Sequence, residues 1–215
     1  MNICIVHAHE NKESFCSSLA ITAKTYFEKE GHQVSMSDLY ADKFNPVGGK
    51  HDFIKLSDAD YYKYASEQLH AHETDSFVPE LKKEMQLLLE ADVLIFNFPL
   101  WWFDVPAILK GWIDRVLAYG FAYGGAYGFF DKGRFKGKKA FLCVTTGSPA
   151  EFYTPKGVHG RTLSDILKNI HQGVLGLVGF EVLPDFAAYG VSRIGDPERK
   201  KILLDYNTYL EKHFA

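Results

Sequence analysis

The segment from Leu94 to Tyr123 constrains the fold most, because it joins a short apolar run, an aromatic loop and a helical repeat. The run that starts at Val93 and includes Phe96 is short enough for a buried strand, and Pro99 is expected to end its pairing since proline lacks an N–H. Asp104 is the candidate N-cap of the next helix, with Pro106 just inside it. The apolar positions of that helix are Ile108, Leu109, Trp112, Ile113 and Val116.

The loop between this strand and this helix carries four consecutive apolar residues, Leu100, Trp101, Trp102 and Phe103. It lies at the carboxyl end of a predicted central strand, where open α/β sheets bind ligands. Exposure of four such side chains would be costly, so the cluster as a whole favours contact with a flat ligand. For any single aromatic residue, packing as a hydrophobic plug beneath the loop is the better interpretation.

The alternation of strand and helix continues along the chain. Further strands are predicted at residues 2–6, 33–38, 140–144 and 180–189, and further helices at residues 79–91, 162–177 and 197–213. Another helix is expected between Ser14, its N-cap, and Gly31, its closing residue. Residues 40–77 are interpreted as a surface excursion with a short helix near residues 58–67. Five alternating strands and helices predict one α/β domain, residues 1–215, with a doubly wound parallel sheet covered by helices on both faces.

Composition excludes several classes of protein. The net charge of −3 and the pI near 6.3 give no sign of nucleic-acid or anionic-membrane binding. No apolar run reaches transmembrane length and no signal sequence is recognisable, so a cytoplasmic protein is expected. Cys4, Cys16 and Cys143 are scattered in apolar or helical contexts, which favours buried thiols. No CxxC or histidine-rich pattern indicates a metal site.

Two further loops are candidates for ligand binding. The amino end of the first helix, near His9 and Ser14, has free N–H groups and could bind phosphate. No GxGxxG or GxxxxGK[ST] motif supports this, and alone the two residues are better explained as a loop histidine and a simple cap. After the strand at residues 140–144, a loop of small residues spans Thr145 to Ser148. Tyr153 and His159 follow it, and alone they would be a packed aromatic and an ordinary loop histidine.

Taken together, the motifs resemble one family. The run FPLWWFDVPAILKGWIDRV is followed in order by FAY, DKG, KKA, TTG and GVHG, and is preceded by HxxxxSF and SDLYADKFNP. This ordered set is similar to the two-electron NAD(P)H:quinone reductases, the DT-diaphorase family of flavodoxin-like flavoproteins. The resemblance implies a flavodoxin-like fold, bound FAD and a homodimer. It also implies ping-pong reduction of quinones by NADH, NADPH or a reduced nicotinamide riboside.

The resemblance also implies roles for individual residues. Those matching the FAD phosphate site are His9, Ser14 and Phe15. The isoalloxazine wall is matched by Pro99, Leu100, Trp102 and Phe103, and the loop bonded to the flavin ring by Thr145, Thr146 and Gly147. Tyr153 and His159 match the catalytic pair, and Arg199 matches a residue near the adenine. The substrate pocket would include Trp102, Phe103, Tyr123 and Tyr127.

Departures from the family pattern limit these assignments. Gly125 stands where the family often has a second tyrosine, which is expected to widen or reshape the quinone pocket. Gln172 and Gly176 replace the paired histidines with which one branch binds a metal, so no metal site is expected. The aromatic loop that contains Tyr127, Phe129 and Phe130 matches a segment at the family's subunit interface, and it is expected to help close the partner's flavin site.

Three functions from different classes are compatible with the sequence. The leading one is an FAD-dependent NAD(P)H:quinone oxidoreductase that also acts on azo or nitro compounds. The second is a regulatory flavoprotein subunit of a potassium efflux system with residual reductase activity. The third is a one-electron carrier of the flavodoxin type, which the modest net charge and the Tyr153 and His159 pair argue against. FMN in place of FAD is a further alternative.

Overall fold

The computed structural model describes residues 1–214. The strands are β1 (Asn2–His7), β2 (Gln33–Asp38), β3 (Val93–Pro99), β4 (Lys139–Thr145), β5 (Glu181–Val182) and β6 (Phe186–Ala188). The α-helices are α1 (Phe15–Lys29), α2 (Tyr64–Glu73), α3 (Pro79–Glu90), α4 (Ala107–Val116), α5 (Leu163–Ile166) and α6 (Asp196–Phe214). A π-helical segment, Asn169–Gly176, follows α5, and short 3₁₀ turns occur at Lys50–Asp52, Phe130–Lys132 and Ala150–Phe152.

The sheet is parallel, with the strand order β2-β1-β3-β4-β5. This confirms the predicted doubly wound sheet. The single final strand predicted at residues 180–189 is wrong, because β5 and β6 pair separately with β4. The N–H of Leu183 still donates to Ala140 O at 2.8 Å, but Pro184 has no N–H to continue the ladder.

Helices cover both faces of the sheet, as predicted. On one face, α1 and α6 close a core that contains Phe27, Phe141 and Tyr206. On the other, α3 and α4 close a core that contains Phe96 and Trp112. Every residue of β3 is buried, because this central strand is covered on both sides. The three cysteines are free and buried, which confirms that prediction.

Local signals explain α1 well. Ser14 is the N-cap, and its Oγ accepts the N–H of Ser17 at 3.0 Å. Gly31 has a φ of +79° just beyond the carboxyl end, a conformation that glycine adopts without strain. The predicted cap and closing residue are both confirmed.

The predicted N-cap of α4 is wrong. The helix begins at Ala107 without a side-chain cap, and Asp104 Oδ1 instead accepts the N–H of Val105 at 2.7 Å. Pro106 lies at the cap position rather than inside the helix. The backbone of Asp104 is held in a tight turn with Trp101, so its side chain is too far back to reach the helix amino end.

The helix expected near residues 58–67 lies later, at Tyr64–Glu73. Asp58 Oδ1 accepts the N–H groups of Asp60 and Tyr61, which makes this stretch a turn. The carboxylate of Glu67, on α2, accepts the N–H of Asp58 at 3.1 Å. Side-chain bonding to the backbone therefore outcompetes helix formation before residue 64.

A buried ion pair fastens the excursion to α4. Arg115 and Asp52 are 1% and 0% exposed, and Arg115 Nε and its Nη2 lie 2.9 and 2.7 Å from Asp52 Oδ1. Tyr64 donates its hydroxyl to Asp52 Oδ2 at 2.5 Å. Both charges thus have partners, which a buried pair requires to be tolerated.

Candidate active site

Three loops meet at the carboxyl edge of the sheet, after β1, β3 and β4. These strands are neighbours and parallel, so their carboxyl ends lie side by side. The chain reverses its winding direction between β1 and β3, and such a switch point leaves a crevice in which α/β proteins bind ligands. Backbone bonds join the loops at this edge: Ala8 donates to Asn97 at 3.0 Å, and Leu100 to Thr145 at 2.8 Å.

The loop after β3 is a strained, exposed aromatic turn. Trp101 and Asp104 exchange backbone hydrogen bonds of 3.1 and 3.0 Å. Between them, Trp102 and Phe103 have φ values of +50° and +63°, which a two-residue hairpin turn requires but bulky residues rarely adopt. Trp102 is 95% exposed and Phe103 41%. The plug interpretation therefore fails for both, and strain of this kind concentrates at ligand sites.

Phe103 begins a row of rings that includes the predicted pair. Its ring lies 4.4 Å from that of His159, edge to face, and the rings of His159 and Tyr153 are stacked 6.5 Å apart. Tyr153 also packs on Tyr189 at 5.7 Å. His159 Nδ1 is buried without a partner among the described residues. An orphaned ring nitrogen beside an exposed aromatic turn is a candidate contact for a polar ligand.

The loop after β4 is rigid and offers free donors. Thr145 and Thr146 are buried, and Thr146 Oγ1 donates to Ser148 O at 2.7 Å. Gly190 N–H donates to the same carbonyl at 3.0 Å. In the described part of the chain, the N–H groups of Gly147 and Ser148 have no acceptor. A Cβ at Gly147 would meet only Ser192 Oγ, at 3.8 Å, so a ligand can approach this backbone closely.

The amino end of α1 provides donors of another kind. The N–H groups of Phe15 and Cys16 lack acceptors within residues 1–214, and the helix dipole adds positive potential there. His9 Nδ1 accepts the N–H of Asn11 at 3.0 Å, which leaves the ring hydrogen on Nε2. Partial burial lowers the pKa of His9, so the ring is neutral at pH 7. This cradle suits a phosphate group.

The other predicted site residues lie apart from these loops. Arg199, on α6, donates from Nη2 to Val191 O at 3.1 Å, and its buried Nε has no described partner. Tyr123 lines a cleft of about 230 Å³ between α4 and the π-helical segment. The ring of Tyr127 lies 4.5 Å from the guanidinium of Arg134. Among residues 1–214, the ring of Tyr123 packs on that of Tyr119, and neither Tyr123 nor Tyr127 stacks on a ring of the aromatic turn.

A cavity of about 930 Å³ lies elsewhere, between α5, the π-helical segment and β5 and β6. Its wall includes the His171–Asp185 pair, joined at 2.9 Å, and Tyr189.

Sequence reasoning missed Tyr189, whose position at the carboxyl end of a strand was the available signal. It also missed Asn11, which the sequence marks only as a loop residue. Across residues 1–214, no cluster of three His, Cys, Asp or Glu side chains could coordinate a metal.

The three loops together could hold a planar heterocycle with a phosphate-bearing tail. The aromatic turn supplies a flat apolar surface, and Gly147 and Ser148 supply backbone donors for ring heteroatoms. The α1 cradle supplies donors for phosphate oxygens. No helix in the described chain combines the length and apolarity that crossing a membrane requires.

Comparison with known proteins agrees with this geometry. A family model described as the flavodoxin-like fold matches residues 1–213. NAD(P)H dehydrogenase [quinone] 1 of Cavia porcellus is 40% identical over 208 residues, covering 96% of this chain and 75% of the relative. Ribosyldihydronicotinamide dehydrogenase [quinone] of Mus musculus is 40% identical over 205 residues, with 95% and 88% covered. A crystal structure from Klebsiella pneumoniae, assigned as a quinone reductase, has a TM-score of 0.95 at 33% identity, covering 100% of this chain and 85% of the other.

Proposed function

We propose that this chain, which belongs to the flavodoxin-like fold family, is an FAD-dependent NAD(P)H:quinone oxidoreductase. The proposal includes two-electron, ping-pong turnover with NADH or NADPH as reductant, and activity on azo or nitro compounds. One observation carries it: the strained turn of Trp102 and Phe103 presents exposed rings beside the orphaned nitrogen of His159. The relatives named as quinone dehydrogenases support the choice of acceptor.

Different residues at the carboxyl edge would bind different parts of the cofactor. Trp102 and Phe103 would pack on the ring, while the N–H groups of Gly147 and Ser148 would donate to it. His9 and Ser14 would bind phosphate at the α1 cradle. When bound, the flavin supplies hydride chemistry, which no side chain of this protein can provide.

Tyr153 and His159 would act on the charge that develops during reduction. Fixed donors aimed at developing negative charge stabilise a transition state more than the ground state. Tyr153 is 8% exposed and packed against Phe152, His159 and Tyr189, so its ring, and with it the hydroxyl, has a fixed direction. His159 Nδ1 is the second atom available to donate or accept a proton there.

The proposed unit is a homodimer in which each chain helps close the other's site. The loop after α4 exposes Phe129 by 50% and Phe130 by 56%, and clustered exposed aromatics favour an interface. Tyr123 and Tyr127 could then reach the aromatic turn of a second copy, since their rings stack on none of its rings within the described chain. We also propose a cytoplasmic location, which three free, buried thiols support.

The decisive experiment is spectroscopic. Purified protein is expected to show flavin absorbance, which NADH or NADPH bleaches without oxygen and a quinone restores. Mass spectrometry of the released cofactor distinguishes FAD from FMN, and parallel double-reciprocal plots would indicate ping-pong turnover. Light scattering is expected to give twice the 24.4 kDa chain mass. A protein that binds no flavin after reconstitution would refute the proposal, and a fully active monomer would refute the shared site.

A further inference from the structure

Three buried polar side chains lie directly beneath the amino end of α1. His7, Ser17 and Asn97 are 3%, 4% and 1% exposed. His7 Nδ1 lies 2.6 Å from Asn97 Oδ1, and His7 Nε2 lies 3.0 Å from Ser17 Oγ. A buried network stabilises a fold only when its members satisfy one another, so the positions of its hydrogens can be deduced.

Ser17 Oγ has one hydrogen and three polar neighbours. It lies 2.8 Å from the carbonyl of Asn11, which can only accept, and 2.9 Å from Ser14 Oγ. The hydroxyl therefore donates to Asn11, and His7 Nε2 must donate to Ser17 Oγ. Burial lowers the pKa of His7, so the ring is neutral and Nδ1 accepts. Its donor is the Asn97 amide, turned so that Nδ2, which otherwise has no described partner, faces the ring.

Asn11 links this buried network to the loop that precedes α1. Its carbonyl also accepts the N–H of Ser14 at 3.1 Å, and its own N–H donates to His9 Nδ1 at 3.0 Å. His9 thus keeps its hydrogen on Nε2. Ser14 Oγ accepts the N–H of Ser17, and because the Ser17 hydrogen goes to Asn11, the Ser14 hydroxyl donates to Ser17 Oγ at 2.9 Å. The outward Nε2–H of His9 therefore depends on the position of Asn11.

We propose that His7 is a positioning residue for the phosphate end of the flavin: through Ser17 it fixes Asn11, and with it the outward N–H of His9 at the amino end of α1. This inference rests on the proposed flavin function, and it concerns a residue that touches no ligand. The alternative is that the network only stabilises the fold. The two differ in one consequence, because a positioning role affects flavins that carry phosphate and spares riboflavin, which carries none.

The test is to titrate flavin-free protein with FAD and, separately, with riboflavin. Binding is measured as the quenching of flavin fluorescence. Ser17→Ala and His7→Phe are expected to weaken FAD binding by about tenfold, or about 1.4 kcal/mol, because a displaced donor loses part of its hydrogen bond to the charged phosphate. The Kd for riboflavin should not change. His7→Gln, whose amide can donate to Ser17, is expected to keep most of the FAD affinity. Thr22→Ala is the matched control, because Thr22 Oγ1 donates to Ser18 O at 2.8 Å further along α1, and it should change neither Kd.

Each outcome decides between the alternatives. Equal weakening of FAD and riboflavin binding in Ser17→Ala, or unchanged FAD binding, would overturn the positioning role. If His7→Phe fails to fold, Ser17→Ala still decides, because it removes a single oxygen. A wild-type protein that binds neither flavin would overturn the proposed function as well, so the two failures are distinguishable.

Discussion

Replacing Trp102 tests whether the conformation of the aromatic turn lowers the free energy of unfolding while it exposes rings to a ligand. Its φ is +50° and its side chain is 95% exposed, so Trp102→Gly removes strain and almost no buried surface. Relief of a left-handed conformation contributes about 1–2 kcal/mol. The greater freedom of glycine in the unfolded chain costs about 0.5–1 kcal/mol. The flavin-free variant is therefore expected to be more stable than wild type by about 0.5–1 kcal/mol.

Urea unfolding of the flavin-free proteins measures this difference, and the Tm is expected to rise by about 1–4 °C for a chain of this size. Trp101→Gly is the matched control, because Trp101 is 47% exposed in the same turn but lacks a positive φ. The same substitution there should destabilise the fold. With flavin bound, Trp102→Gly is expected to raise the KM for flat quinones. A Trp102→Gly protein less stable than wild type, or an equal gain in Trp101→Gly, would refute the reasoning.

Three further experiments test other parts of the structure. Arg115→Met is expected to cost about 3–5 kcal/mol in urea unfolding because Asp52 is left buried without its cation; adding Asp52→Asn should reduce the loss. Burial lowers the pKa of His7 below 6.5, so the unfolded chain binds a proton that the folded chain does not as the pH falls below about 6.5. The free energy of unfolding should thus fall more steeply on acidification in wild type than in His7→Gln. Tyr153→Phe and His159→Gln, with flavin bound, should each slow reduction by NADH in stopped-flow experiments by up to about 100-fold, and wild-type rates in both would exclude the pair from catalysis.

The fold was predictable where local signals agree with one another. The two ends of α1, at Ser14 and Gly31, were predictable because capping and left-handed closure are local effects. The cap assigned to Asp104 failed because the preceding turn needs positive φ at two aromatic residues, which local preferences oppose. The break in the final strand could have been predicted, because Pro184 has no N–H to donate in the middle of a ladder.

The candidate site was only partly predictable, and the distance between partners along the chain explains why. The exposed aromatic loop follows from its position after β3 and its run of apolar residues. The contact between His7 and Asn97 joins residues 90 positions apart, and no local pattern reports such a pair. His7 was visible only as a polar residue at the end of an apolar strand, a position that a simple loop explains equally well.

The two edges of the sheet differ in how completely their polar groups are used. At the amino edge, the Lys138 ammonium donates to the carbonyls of Leu89 and Ala91, and Asp92 donates its N–H to Asn2 O at 2.8 Å. At the carboxyl edge, His159 Nδ1 is buried without a described partner, and the N–H groups of Gly147 and Ser148 have no acceptor among the described residues. Unused donors are costly in an isolated fold, so their concentration beside the strained turn is best explained by a ligand that satisfies some of them. The polar groups of the amino edge are therefore satisfied within the fold, whereas the edge where the winding reverses keeps groups that can bind a ligand.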